Sequence, residues 1–146
     1  MNLFGMLEVS GSALLAERER AELSASNLAN AETTRTMEGG PYRRQDVIFA
    51  AQHPLQPHFG MMLASFADIH TEGVQVAGIY QSNADPVRRF QPGHPDADAT
   101  GYVSYPDINP VEETVNLVGA ARAYQLNVSA LQTVKAMIQA AIGIAT

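Results

Sequence analysis

The chain has 146 residues, with nine basic and fifteen acidic side chains and a formal net charge of −6. This length suits one compact domain, or a small domain with extensions. The acidic balance argues against a nucleic-acid-binding protein, which usually carries a basic face. The chain has no cysteine, which excludes a disulfide scaffold, a thiol nucleophile and a Cys-ligated metal site. We expect neither a nucleic-acid partner nor a cofactor.

Residues 1–34 are predicted to form an N-terminal axial helix segment. No proline interrupts residues 3–31, and apolar residues recur at every seventh position, namely Leu7, Leu14, Ala21 and Leu28. This heptad pattern predicts a helix about 40 Å long. The charged residues 17–22 are expected on its solvated face. The chain start lacks the basic residues and apolar run of a signal peptide, so we expect no cleaved signal peptide.

Residues 35–108 have a different composition and are predicted to form a small β-rich insert. Seven of the eight prolines and all four histidines lie within residues 32–108. Short runs with β-branched and aromatic residues indicate strands, at residues 46–51, 74–80, 87–90 and 102–105. Residues 52–66 show no pattern that assigns their structure.

Residues 109–146 are predicted to form a C-terminal axial helix that pairs with the first one. Asn109 can cap this helix, Pro110 fits its first position, and Glu112 can reach back in a capping box. Apolar residues again recur in heptads, at Leu117, Tyr124, Leu131 and Ile138, with Val128 and Ile142 between them. The helix should be about 50 Å long.

The predicted fold class is α+β. Long N- and C-terminal heptad-bearing helices pack as a coiled coil, with a small irregular antiparallel β insert between them. The helices are too long for so small an insert to cover. We therefore expect other chains to cover part of their apolar stripes, through Leu7, Leu14, Leu28, Leu117, Tyr124, Val128, Leu131, Ile138 and Ile142.

Several stretches resemble a known family. The stretch Ser26-Asn27-Leu28-Ala29-Asn30-Ala31 is similar to a signature shared by the axial proteins of the bacterial flagellar rod and hook. The stretch Asn109-Pro110-Val111-Glu112-Glu113 resembles the FlgC family of flagellar basal-body rod proteins more specifically, as do residues 10–14, 41–44, 92–98, 101–106 and 123–128. The stretches cover the chain nearly end to end and in the expected order.

The resemblance implies a structural, non-enzymatic subunit of the proximal rod. Such a subunit would be exported by the flagellar type III apparatus without a cleaved signal peptide, and would lie in the periplasmic part of the basal body. Its partners would be copies of itself and other rod subunits in a helical tube, with basal-body ring and export-gate components as further candidates. No small-molecule substrate is implied.

The alternative is a small soluble metal-binding or hydrolytic protein that uses the loop from His94 to Asp107. Asp96, Asp98, Thr100 and Asp107 occupy positions that bind calcium in an EF-hand loop. However, prolines on both sides of these residues are incompatible with the flanking helices of an EF-hand. A turn in which the Asp side chains accept backbone N–H groups is the favoured interpretation.

Two smaller questions stay open from the sequence. Asn27 and Asn30 could cap the carbonyl groups at the helix end, or could bridge to a neighbouring helix and contact another subunit. Tyr42, Arg43 and Arg44 could be solvated loop residues or could form part of an interface.

Overall fold

The structure, a computed structural model, describes residues 3–52 and 73–144. Its elements are, in chain order, α1 (Leu3–Ala29), β1 (Gln45–Ala51), β2 (Val74–Gln81), β3 (Val87–Phe90), β4 (Tyr102–Tyr105) and α2 (Pro110–Ile144). Two long helices and small antiparallel strand pairs confirm the α+β class and the four predicted strands. Residues 53–66 of the unassigned stretch lie outside the described residues, as do His53 and His58.

The two helices form an antiparallel hairpin. Asn27, near the end of α1, contacts Glu113, near the start of α2, and Arg20 lies beside Gly119 one turn and a half further along. The helices have 27 and 35 residues, or about 40 and 50 Å. The last turns of α2 therefore extend beyond the described start of α1. Neither of these helices is apolar enough over its length to cross a membrane.

Small side chains are the most buried apolar residues of the two helices, and Ala21, Ala120 and Ala121 line the cleft between them. Ala16 of α1 is 4 % exposed, and Ala120 and Val134 of α2 are 0 % and 1 % exposed. Alanine lets two helix backbones approach closely, because its side chain is a single methyl group. The hairpin therefore closes on a narrow line of small residues and leaves many of its larger apolar side chains only partly covered.

The described residues of the insert form two separate two-stranded ribbons instead of one continuous β unit. Strand β1 pairs antiparallel with β2, with an irregularity between Ile48 and Phe49, and β3 pairs antiparallel with β4. The first ribbon rests on α1 at Ser12, whose Oγ accepts a hydrogen bond from Val74 N at 3.0 Å. A side chain at Gly73 would place its Cβ 2.7 Å from that same Oγ, so this contact requires glycine.

The start of α2 is capped largely as predicted. Asn109 Oδ1 accepts a hydrogen bond from Val111 N at 3.1 Å, and Pro110 is the first residue of the helix. The predicted capping box is wrong in its second half. Glu112 points to Arg44, with 3.8 Å between Glu112 Oε1 and Arg44 Nη2, and within the described ranges it forms no bond to the Asn109 backbone.

Candidate functional site

The two family-like stretches meet at one end of the helix hairpin. Asn27 of α1, Tyr42 and Arg44 before β1, and Glu113 of α2 contact one another there. We call these four residues the motif junction. It joins three parts of the chain that are far apart in sequence: the end of α1, the start of β1 and the first turn of α2.

Glu113 is the buried charge of the motif junction, with only 1 % of its side chain exposed. Its Oε1 accepts a hydrogen bond from Arg44 Nε at 2.7 Å, and its Oε2 accepts one from Asn27 Nδ2 at 3.3 Å. Because Glu113 lies in the first turn of α2, the positive end of the helix dipole also favours its charge. A buried carboxylate is tolerated when it is paired and hydrogen-bonded in this way.

Asn27 is also 1 % exposed and holds the start of β1. Its Nδ2 donates to Gln45 O at 2.8 Å, while its Oδ1 accepts from Gln45 N at 2.9 Å. The same Oδ1 accepts a hydrogen bond from the Tyr42 hydroxyl at 3.1 Å. The side-chain amide thus pairs with both backbone groups of Gln45, which fixes the position of the insert on the helices.

Arg44 lies among three carboxylates. Besides Glu113 and Glu112, its Nη1 contacts Asp46 Oδ2 at 2.9 Å. The hydrogen bond to Glu113 is the main cause of a pKa of Arg44 above its ordinary value, and the charges of Asp46, Glu113 and Glu112 add to it. Arg44 therefore neutralises the buried Glu113 and connects the insert to α2.

The motif junction settles the open question about the asparagines within the chain. Asn30 is a local cap, since its Nδ2 donates to Ser26 O at 2.9 Å. Asn27 bridges to the neighbouring helix α2 through Glu113, as one sequence interpretation allowed, and its bonds to β1 were not anticipated. The sequence analysis also missed the roles of Arg44 and Glu113, because it followed the apolar residues and assumed that charged side chains are solvated. Arg43 is exposed and donates to Asn83 Oδ1.

The charged run of α1 is only partly solvated. Arg18 pairs with Glu22 on the exposed side, and this hydrogen bond is the main cause of the raised pKa of Arg18. Glu17, by contrast, is 19 % exposed and pairs with Arg20 at 2.9 Å, beside Gly119 of α2. The prediction of a solvated face over residues 17–22 is therefore wrong for Glu17, whereas the side chain of Arg20 is 37 % exposed.

The predicted packing positions are covered unequally within one chain. Tyr124 is 41 % and Ile142 61 % exposed. The others are half-buried, namely Leu7, Leu14, Leu28, Leu117, Val128, Leu131 and Ile138. The most buried positions of α2 are instead Glu113, Ala120 and Val134, on an adjacent stripe. Packing of the predicted residues between subunits stays a prediction.

A second apolar stripe runs along α2 on the side away from Ala120 and Val134. We call it the outer face of α2. Its large members recur at helical spacing and are between 44 % and 87 % exposed: Val111, Val115, Val118, Leu126, Met137 and Ile144. A soluble monomer seldom exposes so long an apolar surface unless another molecule covers it.

The loop between β3 and β4 is a hydrogen-bonded turn. Asp98 Oδ1 accepts bonds from Thr100 N, Thr100 Oγ1 and Tyr102 N, and Oδ2 pairs with Arg88. These bonds lower the pKa of Asp98 from 3.8 to about 2, and the bond from the Thr100 hydroxyl is the largest cause.

Other groups of the loop are also engaged. Asp96 accepts a bond from the Thr34 hydroxyl, and His94 Nδ1 accepts one from Asp96 N. The described part of the chain has no group of three residues arranged to hold a metal ion. These contacts support the turn interpretation over the calcium loop.

Comparison with known proteins identifies the class. The family described as "Flagellar basal body rod FlgEFG protein C-terminal" matches residues 99–144, which covers the end of the insert and the whole of α2. The chain is therefore related to the axial proteins of the flagellar rod.

Relatives that match over almost the whole chain give the family. The flagellar basal-body rod protein FlgC of Borreliella burgdorferi is 36% identical over 99% of this chain and 98% of its own length. The FlgC proteins of Escherichia coli O6:H1 and Bacillus subtilis are 38% and 36% identical, over 94% and 99% of both chains. The chain belongs to the FlgC family of flagellar basal-body rod proteins and is a structural subunit of the basal-body rod.

Proposed function

We propose that this rod subunit is exported by the flagellar type III apparatus and polymerises through its terminal helices into the drive shaft. Its neighbours would be copies of itself and other rod subunits, in the periplasmic section of the basal body. The observation that carries the proposal is the length of exposed apolar surface on α2, from Val111 to Ile144. This surface has no covering element within the described part of the chain.

The energetics favour assembly over an isolated hairpin. Complete burial of a Leu, Ile or Val side chain contributes about 1.5–3 kcal/mol, and several such side chains of α2 are more than 60 % exposed, namely Val111, Val115, Leu126, Ile142 and Ile144. In the rod, α1 and α2 would pack as an antiparallel coiled coil, and neighbouring helices would cover the predicted heptad positions. The axial part would comprise residues 1–34 and 109–146.

The insert, residues 35–108, would lie outside the helical layer and contact adjacent rod or ring components. The exposure of Ile48, Ile79 and Tyr80 on the first ribbon supports this placement, at 50 %, 51 % and 49 %. We also propose that the chain has no enzymatic role. The names of its relatives support this, as does the engagement of the Asp96 and Asp98 carboxylates in the turn.

The test is complementation of a strain that lacks the gene. Wild-type chain should restore swimming and should be found in purified basal bodies. Ile142→Asp should be made at normal levels but fail to enter the rod, because it places a charge in a surface that neighbours would bury. Gln132→Asp, an exposed position on the flank of α2, is the matched control and should assemble. Normal rods in the deletion strain would refute the proposal.

A further inference from the structure

Strand β2 has one edge that the rest of the described chain leaves largely uncovered. Strand β1 pairs along the other edge. In the described part of the chain, no Cα atom of β3, β4 or α2 lies within 8 Å of a Cα atom of β2. The hydrogen bond that joins α1 to β2 within these residues lies at the start of the strand, between Val74 N and Ser12 Oγ. The uncovered part of the edge is therefore its far end, towards Gln81.

The register shows which backbone groups face outwards at that end. Gln45 and Gln81 lie opposite each other, and Ser82 N donates to Arg44 O at 2.8 Å, one residue beyond that pair. Gln45 and Gln81 are therefore a non-hydrogen-bonded pair, whose N–H and C=O groups point away from the ribbon. Asn27 binds both outward groups of Gln45. Those of Gln81 have no partner within residues 3–52 and 73–144.

Ile79 has the same orientation as Gln81. It lies opposite Val47, two residues along the ribbon from the pair of Gln45 and Gln81, and the orientation of an antiparallel pair repeats every second residue. The N–H and C=O groups of Ile79 therefore also point outwards, and the described residues offer them no partner. We call Ile79, Tyr80 and Gln81 the open edge of β2.

The open edge lacks the features that prevent the addition of another strand. Natural proteins protect uncovered edges with charged residues and prolines, and β3 follows this rule with Arg88 and Arg89. Strand β2 has neither a charge nor a proline in its 8 residues, Val74–Gln81. On this strand Ile79 and Tyr80 are 51 % and 49 % exposed. Such an edge can accept a further strand, which would bond its free backbone groups.

The occupant that fits the open edge is the same edge of a second copy of this chain. When two copies meet about a two-fold axis at Tyr80, Ile79 of each copy faces Gln81 of the other, and four backbone hydrogen bonds form. Neither edge brings a charge to the contact. Strand β3 is a poorer occupant, because Arg88 and Arg89 would find no carboxylate on β2.

We propose that two copies of the free subunit pair through the open edge of β2, antiparallel and centred on Tyr80, into a four-stranded sheet with the order β1–β2–β2–β1. This contact is isologous and closes after two copies, whereas growth of a rod needs contacts that do not close. The inference therefore goes beyond the proposed function. The outer strands of the sheet are then the two β1 strands, whose edges Asn27 covers at Gln45.

Disulfide cross-linking tests the two-fold geometry. The chain has no cysteine, so one introduced cysteine reports one contact. Tyr80→Cys should form a disulfide-linked dimer in high yield under mild oxidation, because cross-strand Cβ atoms of a non-hydrogen-bonded pair lie within disulfide reach. Gln75→Cys, which is exposed on the same strand but far from the axis, is the control and should cross-link only by random collision. Equal yields in the two variants would overturn the inference.

Sedimentation equilibrium of the full-length protein tests the contact without a cross-link. Ile79→Pro should weaken dimerisation about tenfold or more, because it removes one hydrogen-bond donor from each copy. This N–H takes no part in the pairing with β1, so the circular dichroism of the monomer should not change.

A second pair of variants covers the case in which proline disturbs the strand. Ile79→Lys should also weaken dimerisation, because it adds a charge to the open edge. Ile48→Lys, at a residue of β1 that is 50 % exposed, is the matched control and should dimerise like wild type. The inference is overturned if wild type is monomeric throughout the concentration series, if Ile79→Lys dimerises like wild type, or if the two lysine variants lose dimerisation equally.

Discussion

The two ends of α2 differ in how their side chains are satisfied. At the start, Glu113 is 1 % exposed and its two oxygens accept bonds from Arg44 and Asn27. Towards the end, Ile142 and Ile144 are 61 % and 87 % exposed. The buried side of the first end is completed by polar groups of the same chain, whereas the second end has no such buried polar contact among the described residues and displays apolar surface that its own hairpin leaves uncovered.

This difference suggests a division of tasks within one helix. Buried polar contacts need defined partners at defined distances, so they fix how α1, the insert and α2 fit together. Apolar contacts are not directional and gain from any well-fitting neighbour. A subunit of an assembly can thus use polar groups for its internal geometry and apolar stripes for its contacts with other subunits.

The largest effect is expected at the buried charge. Glu113→Ala removes the buried carboxylate that Arg44 and Asn27 share and should lower the free energy of unfolding by about 3 kcal/mol. Glu112→Ala, at a neighbouring carboxylate that is 61 % exposed, should change it by about 0.5 kcal/mol or less. Urea denaturation followed by circular dichroism measures both. Equal losses would show that burial does not distinguish the two glutamates.

The next effect is expected at Asn27. Asn27→Ala removes the groups that pair with both backbone atoms of Gln45 and should cost about 2 kcal/mol of unfolding free energy. Asn30→Ala, which loses the part-buried cap to Ser26 O and the bond from the Thr33 hydroxyl, should cost about 1 kcal/mol. Hydrogen exchange at Gln45 N should accelerate in the first variant only. Unchanged protection there would contradict the role of Asn27 in holding β1.

The buried and the exposed apolar faces of α2 should differ in how much they stabilise the monomer. Val134→Ala creates a small cavity between the helices and should lower the free energy of unfolding by about 2 kcal/mol. Leu126→Ala should lower it by about 0.5 kcal/mol or less, because that side chain is already exposed. Thermal unfolding of dilute protein makes the comparison. A larger loss at Leu126 than at Val134 would mean that the buried face of α2 has been assigned to the wrong side.

The smallest effect concerns the turn in the insert. The folded pKa of Asp98 is about 2, and its ordinary value is 3.8. The ionised carboxylate therefore stabilises the turn fully at pH values above 3.8. That gain is lost as the pH falls through about 2. Thr100→Ala should raise the pKa of Asp98 towards 3.8, and Thr100→Ser should not. An NMR titration of the Asp98 carboxyl carbon measures this pKa. Identical pKa values in the two variants would exclude the Thr100 hydroxyl as the cause.

Local sequence signals predicted the elements well. The β-branched and aromatic runs located all four strands, because such residues suit a pleated backbone. Asn109 and Pro110 located the start of α2, because capping depends on neighbouring residues alone. The family resemblance came from stretches such as Ser26–Asn30 and Asn109–Glu112, and full-length relatives confirm it.

Contacts between distant residues were not predictable in this way. The heptad pattern placed Tyr124 in the seam, but the hairpin buries Ala120 and Val134 most deeply, because the rotation of two helices about their axes depends on how both surfaces fit. The hydrogen bonds of Glu113 reach Asn27 and Arg44, which are 86 and 69 residues away, and no local pattern encodes such a separation.

The sequence by itself therefore determined two long helices around a small β insert and membership of a family of rod subunits. These properties follow from the periodicity of apolar residues, the turn-forming residues and short motifs, all of which act over a few neighbours. Only the tertiary structure decided which side of α2 is covered by α1, which side stays exposed, and which charge is buried between the helices. Those properties depend on the relative placement of segments that the chain brings together only when it folds.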